Sequence, residues 1–202
     1  MAHLTPDTLS QKIAFLAVAF GVVALVLVCV GIGTPRWHSD YATRTDGTVV
    51  KTNSANFFYA CVVFPNGTFL NCTNRGSTLF GYSTYSAADP CKGDYYQRIQ
   101  NAGALCIVGI IFLFLGTLTT LIMAIIYFQT WVTLIPPGLF FLACLFMLAG
   151  MAEGSRYLLY NDYSANLYQT GHLLTMFTLC LSAFAAGRIN FSRWTEAGKN
   201  DP

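Results

Sequence analysis

Cys61-Val62-Val63-Phe64-Pro65-Asn66-Gly67-Thr68-Phe69-Leu70-Asn71-Cys72 is the stretch that decides how this chain is read. Asn-Gly between two apolar runs is a hairpin signal, because both residues tolerate the positive φ that a tight turn demands. Centring the turn between residues 66 and 67 pairs 64 with 69, 62 with 71 and 61 with 72. Directly opposed strand residues have Cα atoms roughly 4.5–5.5 Å apart, a span that a disulfide bridges. Pro65 lacks the N–H that closes a two-residue turn, and a four-residue loop over 65–68 keeps the same register. Residues 56–73 are therefore expected to form a β-hairpin stapled by Cys61–Cys72. A zinc site is the rival use of the pair, but no cluster of His or Asp completes four ligands. Cys91 leaves three states open: unpaired, joined to a second molecule, or replacing Cys72 beside Cys61.

The sequence around the hairpin is that of a membrane protein. Charged residues are 10% of the chain, against about a quarter in soluble domains. Uninterrupted apolar stretches place helices at about 13–33, 102–128, 132–152 and 170–187, each long enough, or nearly so, for the roughly 20 residues that cross a bilayer. The fourth is the shortest and needs its ends sheltered by neighbouring helices. A cleaved signal peptide is the alternative for the first stretch, but its apolar core is too long and no clear cleavage site follows. The expected fold is an all-α transmembrane four-helix bundle with a small extracellular antiparallel β-sheet of three to five strands, in one domain over residues 1–202. A long first extracellular loop spans 36–99 and a second spans 153–169. Strand-like runs occur at 48–52, 56–64 and 68–73.

Orientation follows from the sequons rather than from charge. Most basic residues lie in the first loop, but long loops translocate largely regardless of charge. Asn66-Gly67-Thr68 and Asn71-Cys72-Thr73 can be glycosylated only on the luminal side, and cysteines placed to oxidise agree. Both termini are then expected in the cytoplasm, where Asn190-Phe191-Ser192 stays bare, with the protein in the plasma membrane as a multi-pass glycoprotein. The dispersed basic residues and a net charge of +2 give no nucleic-acid surface. No Ser/His/Asp or Cys/His set, phosphate loop or metal-ligand spacing is found. An enzyme, a cofactor, a metal site and a small-molecule substrate are accordingly not expected.

Several residues carry two readings. Glu153, Arg156 and Asp162 cluster at one membrane edge, as a solvated face or an ion-lining one. Tyrosines 157, 160, 163 and 168 read as an interfacial aromatic belt or as a contact surface. Cys29, Cys106, Cys144 and Cys180 read as small apolar packing residues, and His172 as structural. Ala183 and Gly187, four apart on the last helix, together with Gly103, Gly109 and Gly116 on the second, are expected to let helices approach within the bundle.

These features together resemble the claudin and peripheral-myelin-protein superfamily. Its first loop carries a Trp, then Gly-Leu-Trp-x-x-Cys, then eight to ten residues, a second Cys, and an Arg before the second helix. Here Trp37 fits the first position, and Asn56-Phe57-Phe58-Tyr59-Ala60-Cys61 stands in the motif with Phe58 replacing its tryptophan. Cys72 follows ten residues later, and Arg98 opens the second helix. The resemblance implies that Trp37, Phe58 and Arg98 form the junction between sheet and bundle. It implies cell–cell contact or a paracellular barrier at junctions, through self-association in cis or trans. Asp46, Lys51 or Asp89 would then bias ion passage. The alternative is an auxiliary subunit of an ion channel or receptor in the same membrane. It is favoured by the closing Asp201-Pro202, which is not the hydrophobic end a PDZ domain captures.

Overall fold

A computed structural model of the protein describes residues 8–64, 68–74, 90–126, 131–156 and 158–197, with side chains except at 73–74, 90–97 and 190–197. Its elements are α1 (Thr8–Gly33), β1 (His38–Thr43), β2 (Val49–Ala55), β3 (Tyr59–Val63), β4 (Phe69–Asn74), α2 (Pro90–Ile125), α3 (Ile135–Gly154) and α4 (Tyr163–Ala197). All four helices are long and apolar enough to cross a membrane. The strands form one antiparallel sheet in the order β1-β2-β3-β4. The fold class read from the sequence is the one observed, and the chain is a multi-pass membrane protein.

α1, α2 and α4 begin ahead of the apolar stretches read from the sequence. α1 starts at Thr8 rather than 13, α2 at Pro90 rather than 102, and α4 runs Tyr163–Ala197 rather than 170–187. α3 runs Ile135–Gly154 after a short 3-10 turn at Val132–Leu134, and the apolar span they form together starts at Val132, as does the stretch expected at 132–152. Residues 90–99, read from the sequence as the end of the first loop, belong to α2, and residues 163–169, read as the end of the second, belong to α4. Apolarity marks the part of a helix that meets hydrocarbon, whereas the helix itself ends where its terminal N–H groups find other acceptors. At α4 that acceptor is Asp162, whose Oδ1 receives the Tyr163 N–H at 2.8 Å. At α2 the helix opens on Pro90, whose fixed φ suits a first turn.

The chain divides into two compact units, and each takes a stretch of all four helices. The helix unit comprises Met1–Val26, Val108–Leu145 and Gly171–Pro202. Its core includes Ala14, Met123, Ala124, Ala185, Ala186 and Ile189. Small residues bring the helices close: a Cβ added at Gly116 would lie 3.0 Å from the Phe140 ring. Hydroxyls inside it are satisfied locally, Thr117 on the Leu113 carbonyl and Thr120 on that of Gly116. His172 donates from Nε2 to the Cys144 carbonyl at 3.2 Å. On α4 the packing face is Ser182, Ala185 and Ala186, not the expected Ala183 and Gly187, which are exposed, with nothing within 4 Å of a Cβ at Gly187. A four-residue spacing selects a helix face without saying which one turns inward. Likewise Cys106 and Cys144 are buried, whereas Cys29 and Cys180 lie on exposed faces.

The sheet unit comprises Leu27–Ile107 and Phe146–Thr170. β3 and β4 keep the expected pairs Cys61↔Cys72 and Val62↔Asn71, and the two cysteines form a disulfide with Cα atoms 4.1 Å apart. Beyond them Val63, not Phe64, opposes Phe69, because Leu70 is an extra residue on β4. The Phe64 N–H donates to the Thr68 carbonyl at 2.8 Å. Residues 65–67, Asn66 among them, lie outside the described residues. β1 was not anticipated, because His38-Ser39-Asp40-Tyr41-Ala42-Thr43 has no apolar alternation.

Candidate functional site: the sheet unit and its frame

Trp37 is the centre of the unit. Fully buried, it packs edge-on to Phe57 at 4.5 Å between ring centroids and touches Tyr160 and Tyr168, each at 5.2 Å. Its indole Nε1 donates to the Gly31 carbonyl at 2.6 Å. Its backbone N–H donates to Ala55, while its carbonyl receives the N–H groups of Asn161 and Asp162. One residue thus ties the end of α1 to β2 and to the segment before α4. A buried aromatic with its polar handle satisfied is a strong anchor.

The motif residues beside it take separate places. Phe57, not Phe58, is the ring fully buried against Trp37. Phe58 is half-buried and lies on α2, where a Cβ at Gly103 would approach its ring to 2.9 Å. Arg98 lies on an exposed face of α2. Asn56, which the sequence reading passed over, is fully buried and fully used. Its Nδ2 donates to the carbonyls of Ile32 and Thr34, each at 3.3 Å, and its Oδ1 accepts the N–H groups of Phe58 and Tyr59. It shapes the β2–β3 turn and closes free carbonyls at the end of α1. The Asn just ahead of an aromatic pair between two strands was the available signal.

Asp162 is the second junction. Its Oδ2 accepts from Lys51 Nζ and from Ser39 Oγ, while its Oδ1 caps α4. Lys51 reaches it because of a bulge. Asp40 opposes Asn53, but Tyr41 opposes Lys51, so Thr52 is skipped and Lys51 turns to the face that Ser39 and Tyr41 share. Burial pushes the Asp162 carboxyl pKa up, yet the hydrogen bonds from Lys51, Ser39 and the Tyr163 N–H, with the lysine charge, outweigh it and hold the group below its ordinary value. The expected cluster of Glu153, Arg156 and Asp162 is therefore split. Arg156 and Glu153 pair at 3.7 Å, and Asp162 belongs to the sheet. Lys51 is engaged as an ion pair and is not a free lining charge.

The tyrosines also separate. Tyr168 is fully buried and donates to the Cys106 carbonyl at 3.4 Å; Tyr160 donates to the Met151 carbonyl at 2.6 Å and has its pKa raised by burial. Both serve the core rather than a belt or a contact surface. Tyr163 is exposed and, with Phe69, flanks the Arg36 guanidinium, each ring centroid 5.4 Å from Cζ. Tyr157 lies outside the described residues, as do Asp89 and the side chain of Cys91. Asn71 is exposed on β4.

Among the polar and charged residues the unit exposes stand large apolar and aromatic ones. Tyr41 is 57% exposed, Val49 65%, Tyr59 47%, Leu70 55% and Leu159 67%. Among the described residues no three His, Cys, Asp or Glu side chains converge on a point that could hold a metal. No family model matches the chain, and no curated protein matches it.

Proposed function

We propose that this is a claudin-like integral membrane protein of the plasma membrane that mediates contact between cells, or a paracellular barrier, through the sheet unit. The observation that carries the reading is a disulfide-pinned sheet, framed on helix ends by Trp37, Asn56 and Asp162, that leaves Tyr41, Val49, Tyr59, Leu70 and Leu159 exposed. Large side chains on a rigid support are suited to docking, because little ordering entropy remains to be lost on binding. In this reading the termini are cytoplasmic, the sheet is extracellular, and Asn66 and Asn71 are glycosylation acceptors. The bilayer and a second copy are the partners.

The test is to express a tagged chain in cells without junctions, mix them with untransfected cells, and image the surface. Enrichment only where two expressing cells touch supports the reading; a uniform surface distribution overturns it. A second reading, an auxiliary subunit of a channel or receptor in the same membrane, is supported by the exposed small residues Ala183 and Gly187 on α4. Such positions admit a neighbouring helix closely. Co-purification of a channel subunit from cells showing the uniform distribution would favour it.

A further inference from the structure

The outer edge of β1 is closed for only half its length. Ser39 donates its N–H to Asn161 Oδ1 at 2.8 Å and accepts from Asn161 Nδ2 at 2.9 Å, the two-bond exchange a strand neighbour would make. Past Ser39 all residues from Asp40 to Arg44 are exposed. Arg44 bonds back to Thr48 across the β1–β2 turn, so the residues whose backbone groups point away from β2 are 39, 41 and 43. Tyr41 and Thr43 therefore hold out an N–H and a carbonyl each. The bulge places its extra residue on β2, so β1 itself stays regular. An open strand edge is a template for another strand.

We propose that residues 40–44 pair antiparallel with the same segment of a second copy, with Ala42 on the two-fold axis and Tyr41 opposite the other copy's Thr43. Hydrogen-bond parity admits only registers in which outward-pointing residues face each other. Among those, charge selects this one: Asp40 falls opposite the other copy's Arg44, twice, on the same face as Ala42. Arg44 has no ion pair among the described residues, and Asp40 pairs only with His38 at the surface. Moving the centre to residue 41 sets Thr43 against Ser39, whose edge Asn161 occupies. Moving it to residue 43 sets Asp40 against Asp46. The strand is thus self-complementary in one register, which is the requirement for an isologous contact. The inference rests on the contact reading above for its setting, copies on facing cells.

The experiment uses full-length chains carrying Ala42→Cys, expressed in cells and oxidised at the surface. Ala42 faces itself across a non-hydrogen-bonded pair, close enough to cross-link. A disulfide-linked dimer above the level given by the unsubstituted chain is expected. Adding Asp40→Arg or Arg44→Asp to every copy should cut that dimer by roughly tenfold, because two cross-strand pairs turn from attraction to repulsion. Mixing the Asp40→Arg chain with a differently tagged Arg44→Asp chain should restore a mixed dimer, and neither change touches the core. Absence of the Ala42→Cys dimer, or of the mixed rescue, overturns the edge pairing. Where contact enrichment persists in those cells the contact reading survives. A mixed dimer that forms only when both chains share one cell keeps the edge pairing and sinks the contact reading.

Discussion

Replacing Lys51 by methionine tests whether the Asp162 junction holds the sheet unit together. The side chains are 19% and 14% exposed, so the pair is screened less than a surface ion pair. Methionine keeps much of the apolar stem and removes the charge. Asp162 is then left with Ser39 Oγ on Oδ2 and the Tyr163 N–H on Oδ1. A hydrogen bond to a charged group contributes about 1.5–3 kcal/mol, and the partial exposure places the loss near about 2 kcal/mol. Asp162→Asn retains the cap acceptor and loses the charge. The double variant should then show a coupling of about 1–2 kcal/mol, since each single change removes the same attraction. The sign with pH follows from the depressed Asp162 pKa. Its stabilisation is present in full above the unfolded value of about 3.9 and is lost as pH falls through the lower folded value. The gap between parent and Lys51→Met, measured by thermal unfolding in detergent, should hold steady from about pH 8 to 5 and close below about pH 4. No gap at neutral pH, or one that widens on acidification, refutes the argument.

Removing the disulfide with Cys61→Ser and Cys72→Ser should cost about 3 kcal/mol, from the entropy of a roughly 12-residue loop, read as earlier proteolysis between β3 and β4. Gly31→Ala should destabilise by about 1–3 kcal/mol, because its Cβ would lie 2.8 Å from the Tyr168 backbone nitrogen and 2.9 Å from the Ser164 carbonyl oxygen, neither of which can rotate away. Gly33→Ala, with nothing within 4 Å, should be neutral or slightly stabilising, and equal melting temperatures for the two variants would contradict the packing. Asn56→Leu should cost more than about 3 kcal/mol, since each buried polar group left without a partner costs about 1–3 and this change strips the Ile32 and Thr34 carbonyls and two N–H groups. Surface expression well below that of the parent is the expected readout.

The parts of the fold legible in the sequence were those written in local periodicity and composition. Four apolar runs gave four spans, and the hairpin's symmetry about residues 66 and 67 gave Cys61↔Cys72. The rest is decided by partners far away in the chain. β1 lacks any apolar alternation and is a strand because β2 lies on one side and Asn161 on the other. The inward turn of Lys51 depends on one skipped residue, Thr52, which no alternation pattern reveals. Phe57 and Phe58 are identical in type, so only the position of Trp37 decides which is buried. Tyr160 and Tyr168 looked like surface tyrosines because their acceptors are backbone carbonyls, which a sequence does not show.

The same geometry sorts the loop charges proposed to bias ion passage. Lys51 is neutralised locally by Asp162, so its field beyond the sheet is that of an ion pair rather than of a cation. Asp46 stands apart at the β1–β2 turn. It accepts from Thr48 Oγ1 at 2.6 Å and from the Thr48 N–H at 2.9 Å, and those bonds hold its carboxyl below the ordinary carboxylate range. A fully exposed, fixed negative charge at a turn tip acts on ions over about a Debye length, roughly 8 Å at physiological salt. In an epithelial layer that depends on this protein, Asp46→Lys should therefore lower the preference for cations in a dilution-potential measurement. Lys51→Met should leave that preference unchanged at a temperature where the protein stays folded. The opposite result, a preference that follows Lys51 and ignores Asp46, would mean that the Asp162 pair opens in the assembled state and that the lysine faces the ions after all.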